Sequence, residues 1–411
     1  MKRFFDTHYY RATKLLSSIV GLWPYQKRLK RKVILSFNLF VLLSYLPPQL
    51  TRLYQVWGKD IDIVCMCMPP LLTILICTAK TMTIIWFDSE MKTLLCQIET
   101  KWIEINMEEE NKILTNYASK TKTFCIIYAV IMYNGLMCFI VTPMISPMLD
   151  IILPRNETRV RSLGFDLDYG VNMQTYWFWL WLHTCVAGTM VICNIVGADV
   201  IYVTLTVHAS CLFEITRNKL RHMTDLIRKY SLQFPKDDIG NSKYNIYQCE
   251  ESRLKLEKQA IVVRECVLSH KKAIEYTRVL QYIYAWCIFF VVILNLISIS
   301  ISAVQLVSKM FRWTEMTMSG VYIIGELMHL FFLSLMAQFI LDQSLNVHES
   351  AYSSAWYNLS TKFQRDFVLI LIRSNVQCQL TIGNMFVLSL ETFCMMLQTS
   401  LSYFTMLVSF R

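Results

Sequence analysis

Apolar residues in this chain are gathered into seven long blocks, which alternate with polar and charged segments. Because about 20 helical residues cross the hydrocarbon core of a bilayer, each block is long enough to form a transmembrane helix. The pattern therefore predicts an all-α, seven-span transmembrane helical bundle embedded in membrane lipid. The predicted spans cover approximately residues 33–53, 61–87, 123–149, 177–207, 279–307, 317–342 and 387–410.

The last apolar block carries a polar stripe. At about 100° per helical residue, Glu391, Gln398, Ser402, Thr405 and Ser409 fall within roughly 40° of one line. Polar groups in membrane helices usually face the protein interior or water, which suits the wall of an aqueous path. Ser and Thr also serve as contacts between helices, so the pattern alone leaves both interpretations open.

The composition agrees with an integral membrane protein. The 411 residues are 55% hydrophobic and only 17% charged, whereas a soluble domain usually carries about a quarter charged residues. The net charge of +10 does not indicate a nucleic-acid partner, because the basic residues cluster in segments that flank apolar blocks.

The distribution of Lys and Arg predicts the orientation in the membrane. With a cytoplasmic N-terminus, 31 of the 40 Lys and Arg residues fall in inner segments and 8 in outer segments, as the positive-inside rule requires. Seven spans then place the C-terminus outside. The sequon at Asn156 falls in an outer loop and is a predicted glycosylation site.

Two inner segments have helical character. Residues 208–278 are rich in charged and helix-forming residues, and from Arg253 the helical period continues directly into the fifth span. Residues 351–380 also place apolar side chains at helical spacing, so we expect a cytoplasmic helical anchor region that joins subunits. The sequence thus divides into residues 1–342, with six spans and an outer-half ligand pocket, and residues 343–411, with the anchor segment and the last span.

The sequence contains no catalytic or metal-binding constellation. His348-Glu349 lacks a second His at metalloprotease spacing, and neither a phosphate-binding glycine loop nor zinc-ligand spacing is present. We therefore expect no enzyme activity, no metal and no cofactor. Lys80 is expected to extend its ammonium group towards the inner interface, and His183 and His329 to be packed and hydrogen-bonded.

The outer halves of spans two, three, four and six offer apolar, aromatic and sparsely polar side chains. Such a lining suits a small volatile molecule, because desolvation and dispersion supply most of the affinity while a few hydroxyls orient the ligand. The same residue types also pack the helices of any membrane bundle. The candidate ligand-binding residues are Thr73, Ile76, Cys77, Tyr133, Met137, Ile140, Trp181, Thr184, Gly188, Met318, Tyr322 and Gly325.

The C-terminal part of the chain resembles a known receptor family. The run SLETF…LQTSLSYFTML looks like the C-terminal signature of the insect odorant receptors, and Ala351-YSSAWYNLSTKFQRDFVLILIRSNVQCQLTIG resembles the segment that precedes it in that family. The resemblance implies a tuning subunit of a ligand-gated, non-selective cation channel in the plasma membrane of sensory neurons. It also implies a mixed tetramer with an odorant co-receptor subunit and a volatile odorant bound among spans two, three, four and six.

The same resemblance implies roles for residues near the C-terminus. The last helix of each subunit would line the central path for cations, with Met406 at the hydrophobic constriction. Gln398, Ser402, Thr405 and Ser409 would lie along the same path. The implied subunit-anchor residues are Tyr352, Trp356, Tyr357, Phe363 and Phe367.

Three alternatives stay open at the level of sequence. The related gustatory receptors share the layout, but their terminal Thr-Tyr…Gln-Phe pattern is incomplete here, because Ser402-Tyr403 and Ser409-Phe410 stand in its place. A seven-span G-protein-coupled receptor would have the opposite orientation. A transporter that uses the polar last helix usually shows an internal repeat, which this sequence lacks.

Overall fold

The computed structural model describes residues 4–105, 107–153, 159, 161–223, 225, 244–308 and 313–409. Most of these residues are helical. Short 3₁₀ turns span Phe4–Asp6, Thr142–Met144 and Trp356–Asn358, and strands β1 (Thr381–Ile382) and β2 (Phe386–Val387) pair antiparallel. The helices are α1 (Arg11–Ile19), α2 (Arg28–Val56), α3 (Ile61–Trp86), α4 (Asp88–Glu104), α5 (Glu108–Val141), α6 (Ile145–Ile152), α7 (Met173–Arg221), α8 (Tyr244–Ser308), α9 (Trp313–Ser353), α10 (Thr361–Ser374) and α11 (Leu390–Ser409).

Six of the described helical segments are long and apolar enough to cross a membrane, namely α2, α3, α5 with α6, α7, α8 and α9. They coincide with the first six predicted spans, so the all-α, multi-pass membrane architecture is confirmed. The seventh predicted span coincides with α11, a helix of 20 residues. The crossing of α11 and the orientation of the two termini stay predictions.

Helix α7 lies at the centre of the bundle. Every residue from Asn194 to Phe213 is buried, and α1, α3, α5, α8 and α9 all pack against this helix. Burial on every side is typical of a helix in the middle of a large bundle. The end of α1 approaches α7 at Gly197, where a Cβ atom would lie 2.7 Å from Val20 Cγ2.

A neighbouring side chain compensates for one proline inside a span, and another proline follows the end of a helix. Pro69 has no N–H to donate to the Cys65 carbonyl, and the side-chain amide of Gln305 in α8 donates to that oxygen instead. In the third predicted span, the helix ends at Val141, and Pro143 lies in the 3₁₀ turn before α6. The prolines therefore mark where α3 is tied to α8 and where α5 stops.

An ion-pair cluster joins α2 to α4 at the start of α4. Arg31 Nη1 lies 2.5 Å from Asp88 Oδ1, and Lys92 Nζ lies 2.5 Å from Asp88 Oδ2. Burial alone would raise the pKa of the Asp88 carboxyl, but Lys92 and Arg31 hold that pKa below its usual range. The ionised carboxylate thus fixes the position of α4 beside α2.

Helices α7, α8 and α9 each extend far beyond the thickness of a bilayer core. α8 has 65 residues and confirms the predicted continuation from Arg253 into the fifth span. α9 runs through residues 342 and 343, where the sequence analysis divides the chain. The functional division at that point stays a prediction. Residues 226–243, inside the predicted inner segment 208–278, lie outside the described residues.

A short β hairpin leads into α11. Gly383 (φ 58°) and Asn384 (φ 61°) both adopt the left-handed conformation that tight hairpin turns use. The Gly383 N–H donates to the Ala285 carbonyl of α8 at 3.0 Å. A Cβ atom at Gly383 would lie 2.9 Å from the Phe289 ring, so glycine permits this close approach. The hairpin therefore fixes the beginning of α11 against α8.

Candidate ligand site and ion path

An apolar cavity lies inside the bundle between α3, α5, α7 and α9. Its volume is about 150 Å³, and aliphatic and aromatic side chains form most of its wall. Helix α2 and the segment before α7 each contribute one aromatic ring, from Tyr45 and Phe165. The lining side chains that carry a polar group are Tyr45, Thr73, Tyr322, Glu326 and His329.

Half of the predicted ligand-binding residues line this cavity. They come from α3, α7 and α9, and they are Thr73, Ile76, Gly188, Met318, Tyr322 and Gly325. The other lining residues were not among the predicted ligand-binding residues. Those residues are Tyr45, Pro70, Ile74, Ile131, Met132, Gly135, Leu136, Phe139, Phe165, Val191, Ile192, Ile195, Val321, Glu326 and His329.

Four other predicted residues, on α3 and α5, lie outside the cavity lining, namely Cys77, Tyr133, Met137 and Ile140. Cys77 is fully buried between helices. The Tyr133 hydroxyl donates to Cys193 Sγ at 3.5 Å, and Tyr133 and Met137 line a separate surface groove beside α1. The cavity side of α5 instead presents Leu136 and its neighbours.

The predicted α5 residues are offset by one position from those that line the cavity. Met132, Leu136 and Phe139 line it, whereas the prediction named Tyr133, Met137 and Ile140. One position along a helix turns a side chain by about 100°. The sequence thus identified the correct turns of α5 but the adjacent face.

On α7 the predicted residues lie on the correct face but partly too close to the helix start. Gly188 lines the cavity, and the lining continues to Ile195. Trp181 instead donates its indole N–H to the Ile140 carbonyl at 3.2 Å, and Thr184 donates to the Trp181 carbonyl at 2.8 Å. Trp181 thus joins α7 to α5 beyond the cavity, whereas the Thr184 hydroxyl is satisfied within α7.

Tyr322 is the centre of a hydroxyl cluster at the cavity wall. Its hydroxyl donates to the Pro69 carbonyl at 2.9 Å and lies 2.5 Å from Thr73 Oγ1 and 3.0 Å from Ser298 Oγ. The Thr73 hydroxyl also lies 2.9 Å from the Pro69 carbonyl, to which it donates. The cluster ties α3, α8 and α9 together at one side of the cavity.

Glu326 is a buried carboxyl in the same wall. Glu326 is 7% exposed, and its Oε2 atom is buried without a hydrogen-bond partner. An acidic residue in the middle of an apolar block is a signal visible in the sequence, because intramembrane ionisable residues are costly and usually functional. Glu326 was not among the predicted site residues, although this signal identifies it.

A second polar cluster lies next to the cavity, around Asp199 of α7. Lys80 of α3 forms an ion pair with Asp199, and the Tyr128 hydroxyl donates to the same carboxylate at 2.5 Å. His329 Nε2 lies 3.4 Å from Asp199 Oδ2, and its Nδ1 lies 3.4 Å from Asn295 Oδ1. The predicted snorkelling of Lys80 is therefore wrong, because its ammonium group is buried against a carboxylate.

Across the part of the chain that the structure describes, no three His, Cys, Asp or Glu side chains gather to hold a metal ion. The groups around Tyr322 are instead joined by hydrogen bonds, and those around Asp199 by hydrogen bonds and one ion pair. The predicted packing of His183 is confirmed, since its ring nitrogens lie 3.0 Å from Ser44 Oγ and 2.8 Å from the Tyr169 hydroxyl.

The last helix has one packed face and one exposed face. Ser389 caps its start by accepting from the Thr392 N–H at 3.1 Å. Thr392, Met396 and Ser400 are buried, and Ser400 Oγ lies 3.2 Å from Ser300 Oγ of α8. The predicted polar stripe lies on the exposed face, with its members Glu391, Gln398, Ser402, Thr405 and Ser409 all exposed.

Hydroxyls of the stripe are satisfied within α11 itself. Ser402 donates to the Gln398 carbonyl at 2.9 Å, and Ser409 donates to the Met406 carbonyl at 2.7 Å. Such bonds let Ser and Thr occupy a membrane helix without a partner on another helix. Met406 lies among these residues and is 50% exposed.

The predicted anchor residues divide into a buried group and an exposed group. Phe363 and Phe367 of α10 are buried, and the Trp356 ring stacks on Phe367 with centroids 6.2 Å apart. Tyr352 and Tyr357 are 72% and 66% exposed. The predicted glycosylation site, Asn156, lies outside the described residues.

Comparisons with known proteins agree on one family. The family described as 7tm Odorant receptor matches residues 60–401. Odorant receptor Or2 of Anopheles gambiae is 28% identical over 148 residues, and odorant receptor 10 of Aedes albopictus is 26% identical over 145 residues. Each of these two alignments covers 35% of this chain and 38% of the relative's length.

Solved structures share the fold over almost the full chain. The insect olfactory receptor OR5 from Machilis hrabei in complex with eugenol matches with a TM-score of 0.73 and 15% identity, and the match covers 98% of both chains. A second structure of that receptor gives a TM-score of 0.72. The family match covers most of the chain, and the chain therefore belongs to the 7tm odorant receptor family.

Proposed function

We propose that this chain is the odorant-binding subunit of a ligand-gated, non-selective cation channel. The observation that carries the proposal is an apolar cavity inside the bundle of an odorant receptor family member. Membership of this family favours the channel over a G-protein-coupled receptor, a gustatory-type receptor and a transporter. The family is also not one of enzymes.

The cavity supports a small volatile molecule as the ligand. An engineered protein cavity of about 150 Å³ accommodates benzene, which sets the scale of what this site holds. The wall is mostly aliphatic and aromatic, so desolvation and dispersion supply most of the affinity. The ligand thus has the dimensions of a single ring or a short branched chain.

Helix α8 offers a direct route from the cavity to the last helix. Ser298 contacts the Tyr322 hydroxyl at the cavity wall, and Ser300, two residues along, contacts Ser400 of α11. A ligand that moves Tyr322 therefore acts on the same short stretch of α8 that holds α11. We propose that opening of the channel passes through this stretch.

The exposed stripe of α11 supports a pore-lining role in the assembled channel. In the proposed tetramer, Gln398, Ser402, Thr405 and Ser409 face a central path for cations. Met406 side chains from the subunits narrow that path, and a hydrophobic ring closes a pore by dewetting. Ligand binding favours the widened state.

The proposed partner is an odorant co-receptor subunit in a mixed tetramer. Exposed Tyr352 and Tyr357 supply contact surface near the anchor, while buried Phe363 and Phe367 hold α10 in position. We place the tetramer in the plasma membrane of sensory neurons, with the N-terminus inside and a glycosylated Asn156 outside.

The function is tested in cells that express this chain alone, or this chain together with an insect odorant co-receptor. Cells that express the co-receptor alone are the control. A panel of volatile molecules should evoke cation current only when both subunits are present. The current should persist in excised patches without GTP.

Two outcomes would contradict the channel proposal. Loss of all current when GTP is removed would indicate a G-protein-coupled receptor. Saturable uptake of the ligand without single-channel openings would indicate a transporter.

A further inference from the structure

We infer that Glu326 makes the cavity selective for compact apolar ligands that carry one hydrogen-bond donor, a hydroxyl or an amino group. The inference rests on the proposed function, because it concerns the ligand of the same cavity. It adds a polar contact to a site that otherwise binds by shape and desolvation.

The position of Glu326 is the first observation. The residue lines the cavity, is 93% buried, and has one carboxyl oxygen, Oε2, without a hydrogen-bond partner. A buried acceptor that lacks a partner is costly, and the cost disappears when a donor arrives. The adjacent space of about 150 Å³ is where such a donor would arrive.

The neighbouring donors are already engaged, which is the second observation. Tyr322 and Thr73 each have a single hydroxyl hydrogen, and these two hydrogens are shared among the Pro69 carbonyl and the two hydroxyl oxygens, which lie 2.5 Å apart. Lys80 is paired with Asp199. The groups beside Glu326 therefore leave Oε2 without a donor, and the ligand is the group that supplies one.

The lining also determines where the rest of the ligand lies. Met318, Val321 and Gly325 of α9 and Ile74 of α3 contribute to the apolar wall of the same cavity. No atom lies within 4 Å of the Cβ position at Gly325, one residue before Glu326. A ligand thus places its donor at Glu326 and its apolar body in the space left by glycine.

The test uses four probes with the same number of heavy atoms: benzyl alcohol, benzylamine, benzaldehyde and ethylbenzene. Binding is measured on purified receptor by ligand-dependent thermal stabilisation, and channel opening by current in cells that also express the co-receptor. We expect benzyl alcohol or benzylamine to bind at least about tenfold more tightly than benzaldehyde and ethylbenzene, because the site rejects analogues that leave a buried polar group unpaired. Tighter binding of the alcohol identifies a hydroxyl as the preferred donor, and tighter binding of the amine identifies an ammonium group; both support the inference.

Variants at one position assign the preference to the carboxyl. Glu326→Leu should abolish the preference and make ethylbenzene the best probe. Glu326→Gln keeps the shape and adds an amide donor, so benzaldehyde should gain affinity relative to the wild type. Glu349→Gln, an exposed glutamate on the same helix, is the matched control and should keep the wild-type order.

The inference fails if the wild type prefers benzaldehyde or ethylbenzene, if none of the probes binds, or if both Glu326 variants keep the wild-type order. The Gln variant guards against a Leu variant that does not fold. Binding with the expected order but no current would retain the inference and overturn the channel proposal, so the two failures are distinguishable.

Discussion

Two carboxyl groups lie close together in the membrane bundle and are treated in opposite ways. Asp199 is surrounded by Lys80, Tyr128 and His329, and the void beside it measures only about 10 Å³. Glu326 lies one helical turn before His329 on α9, next to about 150 Å³ of space, and has an oxygen without a partner. Both carboxylate oxygens of Asp199 have a partner within the bundle, whereas Oε2 of Glu326 has none.

The difference shows that a polar cluster that links helices and a cavity proposed to bind a ligand can lie side by side in one bundle. A void of about 10 Å³ is at the limit for one water molecule, so the groups around Asp199 bind only one another. Breaking a buried ion pair leaves an uncompensated charge, and this makes the Asp199 cluster a fixed link between α3, α5, α7 and α9. If the cavity beside it binds a ligand as proposed, the ligand can enter and leave without unfolding the bundle.

The largest expected effect comes from breaking the buried ion pair between Lys80 and Asp199. Lys80→Met leaves Asp199 buried without its cation and should lower the free energy of unfolding by about 3–5 kcal/mol. Chemical denaturation of the purified receptor in detergent measures this change. Lys112→Met, which removes an exposed ion pair with Glu108, is the control and should leave the stability unchanged.

A second variant tests whether the loss comes from the buried charge. Adding Asp199→Asn to Lys80→Met should recover most of the stability, because the amide remains a hydrogen-bond partner for Tyr128. A double variant as unstable as Lys80→Met would show that packing, rather than charge, holds the cluster together.

The next largest effect comes from filling the cavity beside Glu326 with a larger side chain. Gly325→Val places two methyl groups in space where no atom lies within 4 Å of a Cβ. It should weaken ligand binding by about 1–3 kcal/mol, which corresponds to a 10- to 200-fold rise in the ligand concentration for half-maximal current. Gly320→Val lies on the same helix but outside the cavity lining, and an equal shift in that control would contradict the assignment.

The proposed gate should respond differently from the cavity. Met406→Ala removes the constriction and should raise the basal current several-fold while leaving the ligand concentration for half-maximal current nearly unchanged. Recordings from cells that also express the co-receptor measure both quantities. Met395→Ala, an exposed methionine nearer the start of α11, is the control, and an unchanged basal current in Met406→Ala would remove this residue from the gate.

The smallest effect concerns the link between the cavity beside Glu326 and α11. Ser400→Ala removes the hydrogen bond to Ser300, a type of contact worth roughly 0.6 kcal/mol in a membrane, so the response to ligand should change about two- to threefold. Binding to the purified receptor should stay the same. Thr399→Ala, whose hydroxyl bonds only within its own helix, is the control, and an equal change there would argue against the α8 route.

The helical architecture could be predicted from the sequence because apolar blocks of span length leave few alternatives. Three cavity residues of α9 could also be predicted from the sequence, since Met318, Tyr322 and Gly325 lie on one face at helical spacing. On α5 the same reasoning failed, because Met132 and Tyr133 are both apolar enough to face a cavity. When every face of a helical segment is apolar, its sequence has no periodic pattern that shows which face points towards the cavity.

The pairing of Lys80 with Asp199 could not be read from the sequence. The two residues are 119 positions apart, and the sequence shows only that each interrupts an apolar block. Glu326 presented the same signal. Which charge has a partner and which has space beside it depends on how α3, α7 and α9 pack, and that is a property of the fold.

The hairpin before α11 gives that helix the mechanics of a lever. Gly383 and Ala285 hold one end against α8, and the Ser300–Ser400 contact lies halfway along. A helix of 20 residues is about 30 Å long. A tilt of about 6° at the hairpin therefore moves the opposite end by about 3 Å. A rotation of α11 that is too small to disturb the packing at the hairpin thus displaces the C-terminal end of α11 by a distance comparable to the size of a side chain.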